Sequence, residues 1–285
     1  MKKILVLPNP LKPEALELTP RLVRLLSNHD FFPVLEQETA ALLKLSEFGC
    51  IPGQLWDELD LVMVLGGDGS MLTAARRVYP RQIPLLGINL GHLGFLTWVE
   101  SNRLEAALQD LQCANFSLED RTMLEARVSR NGEPLKQFVC LNDLVLAKGS
   151  FARIIQLETW IDESYFTTYP ADGLIVATAT GSTAYSLSAG GPILDPRMDA
   201  IVVTPICAHS LYARPVVLNH EARVKVVLNA NHKEIVLTAD GQEGVALQPG
   251  DEIIFTRASR VTRLLSLGER GPFEVLQSRL KEGRI

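Results

Sequence analysis

The sequence predicts an α/β fold followed by an all-β one. A parallel sheet with helices on its faces is expected over residues 1–120, a mainly β domain over residues 121–267, and a helical tail over residues 268–285 that packs back on the first domain. The first ground is an alternation: up to Asp120, apolar runs of strand length take turns with stretches of helical spacing, the pattern of a parallel sheet. The second is a change of texture at Arg121, after which short runs rich in β-branched residues follow one another, separated by turn signals such as Asn131-Gly132, Asp172-Gly173, Asp240-Gly241 and Pro249-Gly250. The third is Leu61-Val62-Met63-Val64-Leu65, an unbroken apolar run between Asp60 and a glycine pair, which reads as a strand buried on both faces.

In chain order, Lys3–Leu7 is a strand and Pro13 to Asn28 a helix carrying Leu16, Leu22, Val23, Leu25 and Leu26 on its apolar side. Phe32–Glu36 is a short strand, Ala40 to Phe48 a weak helix, Leu61–Leu65 a strand, Ser70–Tyr79 a helix, Pro84–Ile88 a strand and Leu104 to Leu111 a helix. In the second half the strands are Leu124–Ser129, Phe138–Leu146, Ile154–Ile161, Leu174–Thr178, Ala200–Thr204, Arg223–Leu228, Glu234–Leu237, Asp251–Phe255 and Val261–Leu265. One helix interrupts them, capped by Ser182 or Thr183 and stopped at Gly190-Gly191-Pro192. Phe273 to Lys281 is the helical tail.

Composition narrows the function classes. The 285 residues give room for two domains. The formal net charge of -5 argues against a non-specific grip on nucleic acid or on an anionic membrane, so neither is an expected partner. Cys50, Cys113, Cys140 and Cys207 are scattered with no CxxC, which predicts reduced thiols in a cytoplasmic protein, without a disulfide framework or zinc site. Lys2-Lys3 followed by Ile4 to Leu7 is too short for a signal peptide and is stopped by Pro8-Asn9-Pro10. No segment approaches the length of a membrane span.

Gly66-Gly67-Asp68-Gly69-Ser70 joins the buried strand to a helix. That places glycines and a carboxylate at the carboxyl end of a strand, where open α/β sheets bind ligands. Glycines let the backbone come close to a phosphate, and the N–H groups opening a helix favour anions. A carboxylate there repels those anions, which points to a phosphoryl-transfer site with Asp68 as proton acceptor or metal ligand; a plain turn with Asp68 as helix cap is the alternative. Gly87 to Leu96 forms a second glycine-rich loop at the same end of the sheet, for a ligand close to the backbone or for packing Leu93, Phe95 and Leu96. Asn142-Asp143 sets an amide and a carboxylate inside an apolar run, able to read a base edge and a sugar diol, or marking a bulge. From Thr180 to Ser188 most residues are glycine or carry hydroxyls, a density that suits a polar ligand more than a helix cap alone. Asp240-Gly241-Gln242 is most simply a hairpin turn, and no Walker-type loop or dinucleotide fingerprint is present.

Taken in order, Gly66-Gly67-Asp68-Gly69, Asn89-Leu90-Gly91-His92-Leu93-Gly94-Phe95, Asn142-Asp143, Asp172-Gly173-Leu174-Ile175 and Thr180-Gly181-Ser182-Thr183-Ala184-Tyr185-Ser186-Leu187-Ser188-Ala189-Gly190-Gly191-Pro192 resemble the bacterial NAD kinases over nearly the whole chain. The resemblance implies a Rossmann-like first domain, a β-sandwich-type second domain that binds NAD, and a kinase that uses ATP and a divalent metal, Mg or Mn, to phosphorylate the adenosine-ribose 2′-hydroxyl of NAD. Asp68 would be the proton acceptor, and Gly66, Gly67 and Gly69 would line the donor phosphates. Asp68, Gly69, Phe95, Asn142 and Asp143 would touch the dinucleotide; Asp172, Thr183, Ala184, Tyr185, Ser186, Leu187 and Ser188 would hold its two ends. Arg153 and Gln242 fall where the family places further NAD contacts. The family also implies a homodimer or homotetramer whose sites are completed across subunits, with Cys207 placed near a neighbouring chain's ligand. Asp68 would face the hydroxyl-rich turn across one cleft.

This chain departs from the family pattern at Ala179, where proline is usual, at Pro170, where a basic side chain is common, and at Trp98, often a polar position. Lipid kinases and phosphofructokinases share the first motif. The former need an apolar acyl pocket where Thr180 to Ser188 is polar, and the latter a basic cluster that the second half lacks. An NAD-binding regulatory module would have no reason to set Asp68 beside phosphates.

Overall fold

The computed structural model of the chain describes residues 2–50, 56–91, 94–97, 99–149, 153–230, 234–267, 274 and 276–277. His92, Leu93 and Trp98 lie outside the described residues, as does most of the tail; Glu274, Leu276 and Gln277 of that tail are helical. The chain divides into two compact units, Met1–Asp120 with Thr262–Arg284, and Arg121–Val261.

The first unit is built on an eight-stranded sheet among the described residues. Gly49–Cys50, Phe32–Glu36, Lys3–Pro8, Leu61–Gly66, Leu85–Asn89, Thr262–Ser266 and Ser117–Arg121 lie side by side in that order, with Val99–Glu100 pairing Leu85–Asn89. The pairings across the centre are parallel. Leu61–Gly66 and Leu85–Asn89 are buried at every residue, which explains the unbroken apolar run of the first and leaves Asn89 as a buried polar residue at the end of the second. Pro13–Asn28 starts with proline at its first turn and buries Leu22, Val23 and Leu26 in the core with Ile4, Val6, Met63 and Leu86.

Three local expectations are corrected here. The weak helix expected from Ala40 begins earlier, at Gln37–Leu42, ends as Lys44 turns to φ 56, and is followed by a separate 3-10 turn at Ser46–Phe48. The helix after the glycine turn spans Asp68–Val78, so Asp68 belongs to its first turn. Thr262–Ser266, grouped by sequence with the β-rich half, pairs in parallel with Leu85–Asn89 in the first unit's sheet.

The second unit is a sandwich of two antiparallel six-stranded sheets among the described residues. One orders Val216–Asn219, Ala200–Ile206, Gly173–Thr178, Asp143–Lys148, Ile235–Ala239 and Glu243–Leu247; the other orders Ser164–Ala171, Ile155–Ile161, Val224–Asn229, Glu252–Arg257, Leu124–Arg130 and Glu133–Cys140. Their facing sides share one core, including Leu124, Phe138, Leu144, Leu157, Val176, Val203, Leu237 and Phe255. On the far side of the first sheet, Val145, Ile175, Ala177 and Val202 pack under Ala189 and Leu194, so Gly173–Thr178 is buried on both faces. Asn131 and Gly132 (φ 52 and 82), and Asp240 and Gly241 (φ 50 and 63), form hairpin turns with both residues left-handed.

The run read as one strand, Phe138–Leu146, is two: Glu133–Cys140 in one sheet and Asp143–Lys148 in the other, with Leu141-Asn142 crossing between the layers. The helix expected from Ser182 is a 3-10 turn, Thr180–Thr183, and a single α-turn, Tyr185–Ser188. No side chain caps either; Ser182 is fully buried, its hydroxyl donating to the Ala179 carbonyl (2.7 Å) and accepting from the Leu194 N–H (3.1 Å). Among the described residues no helix is long and apolar enough to cross a membrane.

Candidate active site

In the first unit the site begins where the strand Leu61–Gly66 ends. Gly67 is the extended residue before the helix, and Asp68 opens it. The Asp68 side chain does not cap that helix. It leans to the second glycine-rich loop, where one carboxylate oxygen accepts the Phe95 N–H (2.9 Å) and the other the Leu96 N–H (3.0 Å). Gly94 is required there: any Cβ would collide with both oxygens and the carbon of the Asp68 carboxylate. Thr97 fixes Gly94 in turn, its hydroxyl accepting the Gly94 N–H (3.1 Å). The carboxylate is thus held by backbone donors on a short side chain, with little freedom to swing.

The first loop of the chain, which the sequence reading did not include, braces the same turn. Asn9 donates its side-chain N–H to the Ser70 hydroxyl (2.9 Å), accepts the Leu11 N–H (2.9 Å), and donates its backbone N–H to the Leu65 carbonyl (2.9 Å). The loop carries the exposed Lys12, whose Nζ lies 3.8 Å from the point a side chain on Gly67 would occupy. Asn89, paired in register with Gly66, accepts the Gly91 N–H (3.0 Å) while its Nδ2 is buried without a partner among the described residues. This end of the sheet therefore combines a fixed carboxylate at a helix start, an ammonium and an unanswered amide donor. The approaching cation next to a glycine turn was legible only as a lone lysine in a proline-rich loop.

In the second unit, the crossing Leu141-Asn142-Asp143 and the segment Thr180–Ser188 come together. Gly181 lies so close to Asn142 that a Cβ there would stand 2.7 Å from the Asn142 Cα. Thr178 donates its hydroxyl to the Leu141 carbonyl (2.6 Å) and its N–H to the Asn142 carbonyl (2.9 Å). Asp143 is buried at 5% exposure, and its carboxyl is pushed up to about 7, by burial first and by the neighbouring Asp240 second, against the Tyr185 N–H that favours the ionised form. Thr183, Ala184 and Leu187 are half-buried, Tyr185 and Ser188 exposed, and Ser186 is buried with its hydroxyl 2.9 Å from that of Thr204.

The remaining expected residues are dispersed. Antiparallel register sets Asp143 against Ala177 and Ala147 against Gly173, so Asp172 sits past the other end of the strand, roughly 17 Å along it. There Lys148 pairs with it (3.4 Å), a basic group from the neighbouring strand where sequence Pro170 supplies none. Arg153 and Gln242 are exposed, Gln242 in the turn after Asp240. Cys207 is exposed with φ 45, and none of the four cysteines is in a disulfide. Ala179 takes helical dihedrals, φ -59 and ψ -36, before the 3-10 turn. Among the described residues no three His, Cys, Asp or Glu side chains cluster as a metal site.

Comparison with known proteins sets the class first. Two kinase models match the chain, the ATP-NAD kinase N-terminal domain over residues 4–114 and the ATP-NAD kinase C-terminal domain over residues 141–267. The chain is 40% identical to an NAD kinase of Natranaerobius thermophilus over 284 residues, covering 100% of this chain and 99% of that one. It is 42% identical to an NAD kinase of Moorella thermoacetica over 285 residues, covering 99% and 90%. Its fold is similar to that of a yeast NADH kinase solved in complex with NADH, with a TM-score of 0.90 at 26% identity over 99% of this chain and 88% of that one. It also resembles, in fold, an Archaeoglobus fulgidus NAD kinase in complex with ATP, with a TM-score of 0.72 at 23% identity over 98% of each.

The chain is therefore an enzyme of the kinase class. It belongs to the ATP-NAD kinase family, whose reaction phosphorylates NAD to NADP.

Proposed function

We propose that this chain transfers the γ-phosphoryl group of ATP to the adenosine-ribose 2′-hydroxyl of NAD, with Asp68 as the proton acceptor. The observation that carries the assignment is the Asp68 carboxylate, fixed by the Phe95 and Leu96 N–H groups at the start of a helix. Phosphoryl transfer asks a protein mainly for positioning and charge stabilisation. A sugar hydroxyl is a weak acid, so its proton leaves late, to a carboxylate already in place.

Gly66, Gly67 and Gly69 offer backbone to the donor phosphates, and Lys12 brings a positive charge to them. The divalent cation, Mg or Mn, enters as part of the substrate, bound to the triphosphate. Phe95, Asn142, Asp143, Thr183, Ala184, Tyr185, Leu187, Ser188 and Gln242 contact the dinucleotide, and Ser186 holds their segment to Thr204. Arg153 and Asp172 complete a site in a second copy of the chain. Support for a homodimer or homotetramer comes from the position of Asp172 at the far strand end and from the edge strand Ser164–Ala171, which exposes Tyr165 at 54% and Phe166 at 44%. The cytoplasm is the location that fits four cysteines outside any disulfide.

The test is direct. Purified protein with Mg-ATP and NAD produces NADP and ADP in equal amounts, with the new phosphate on the adenosine ribose by phosphorus NMR. ADP without NADP, or NADP formed equally well by Asp68→Asn, would overturn the assignment.

A further inference from the structure

The Asp240 carboxylate does more than close a hairpin. One oxygen accepts the Asn142 N–H (2.8 Å) and the Asp143 N–H (3.3 Å), and the other accepts the Leu141 N–H (3.2 Å). The Asp240 backbone N–H donates to the Asp143 carbonyl (2.9 Å). Asp240 is itself 9% exposed and left-handed at φ 50. The three N–H groups belong to the stretch where the chain leaves one sheet for the other, so no strand ladder is available to satisfy them all. From the opposite side Thr178 holds the Leu141 and Asn142 carbonyls.

We propose that Asp240 is a positioning residue of the dinucleotide site: its carboxylate clamps the backbone of Leu141, Asn142 and Asp143, and so aims the Asn142 and Asp143 side chains at NAD. A carboxylate is suited to this task because it accepts on both oxygens, whereas an amide accepts on one and would turn its NH2 toward the Leu141 N–H. The clamp has a second consequence. Asp240 is the charged group acting on Asp143, whose carboxyl burial and this neighbour together keep partly protonated near neutrality. A sugar diol donates two hydrogen bonds and so binds the ionised Asp143 better. Asp240 thereby fixes both where Asp143 points and the pH range over which it accepts a diol.

The proposal rests on the NAD-binding role given above to Asn142 and Asp143, and the experiment separates the two. In the wild-type protein, hydrogen exchange reads the clamp without any ligand: the Leu141, Asn142 and Asp143 amides are expected to be protected, and exchange at the rate of an exposed loop would overturn the clamp. NAD binding by calorimetry and steady-state kinetics are then compared with Asp240→Asn. The expected result is NAD affinity and the KM for NAD weakened about tenfold, one lost charge-assisted hydrogen bond, with kcat and the KM for ATP within about threefold. The midpoint of the pH dependence of NAD binding should also fall by about one unit, because a like charge has been removed. Unchanged NAD affinity with an unchanged pH midpoint would overturn the proposal. Weaker binding with a fixed midpoint would overturn the charge role and keep the clamp. Should Asp240→Asn fail to fold, exchange in the wild-type protein and the pH dependence of its NAD binding decide the matter. Wild-type protein that binds NAD but makes no NADP would count against the kinase assignment alone.

Discussion

Replacing Gly94 by alanine tests how firmly Asp68 must be held. A Cβ at this position would overlap the Asp68 carboxyl carbon and both its oxygens, and the side chain is too short to step aside without turning about its first torsion. Any such turn breaks the hydrogen bonds from Phe95 (2.9 Å) and Leu96 (3.0 Å). Hydrogen bonds to a charged group contribute roughly 1.5–3 kcal/mol each, so losing one to two of them lowers stability by about 1.5–6 kcal/mol unless the loop relaxes with it. A displacement of about 1 Å at a reacting group costs on the order of 100-fold in rate. Gly94→Ala should therefore lose about 100-fold in kcat, close to 2.7 kcal/mol of transition-state stabilisation, with the KM for NAD changed by less than about threefold. The assay is NADP formation at saturating Mg-ATP, beside thermal unfolding to confirm that the variant folds. A folded Gly94→Ala enzyme with normal kcat would refute the idea that the second glycine loop fixes the base.

Three further outcomes are expected. Lys12→Ala should raise the KM for ATP about tenfold, one charge-assisted contact, with the KM for NAD little changed; equal effects on both substrates would remove Lys12 from the donor phosphates. Asp143 titrates near 7 in the folded protein against an ordinary 3.8, so its contribution to stability is present at low pH and lost as pH rises through about 7. Between about pH 5 and pH 8 the wild type should lose on the order of 2 kcal/mol relative to Asp143→Asn in urea unfolding, and a relative gain would show the sign to be wrong. Asp251, 1% exposed, is forked by Arg130 at 2.8 Å through both Nε and Nη2 and accepts the Gln248 N–H (2.7 Å), so Asp251→Ala should lower Tm by leaving that amide without its acceptor, and an unchanged Tm would count against it.

What the sequence made legible was what lies close together along the chain. Leu61–Leu65 could be read as a buried strand because every residue of it is apolar, and the turn after it because its glycines and Asp68 are adjacent in sequence. The edge strands Ser164–Ala171 and Glu243–Leu247 were missed because they are half-exposed and mix polar with apolar residues, leaving no clean alternation. The crossing at Leu141-Asn142 was hidden because the apolar run continues through it: both halves are buried, in different sheets. Thr262–Ser266 has ordinary strand composition, and nothing local tells which sheet it joins.

The site follows the same rule. Asp68 was marked by its neighbours in sequence, but its anchors Phe95 and Leu96 are 27 and 28 residues away. Asp240 reaches amides 97 to 99 residues earlier, and its local context, Asp-Gly in a hairpin, already explains an aspartate there. Lys12 gains meaning only once Asn9 ties its loop to Ser70, 61 residues on.

The most direct test of the account compares wild-type protein with Asp68→Asn in one measurement, single-turnover NADP formation from bound NAD and Mg-ATP. The amide fills the volume of the carboxylate and cannot take a proton, so the account predicts a rate lower by about 10²–10⁴-fold with NAD still bound. A variant that phosphorylates bound NAD at the wild-type rate would contradict it.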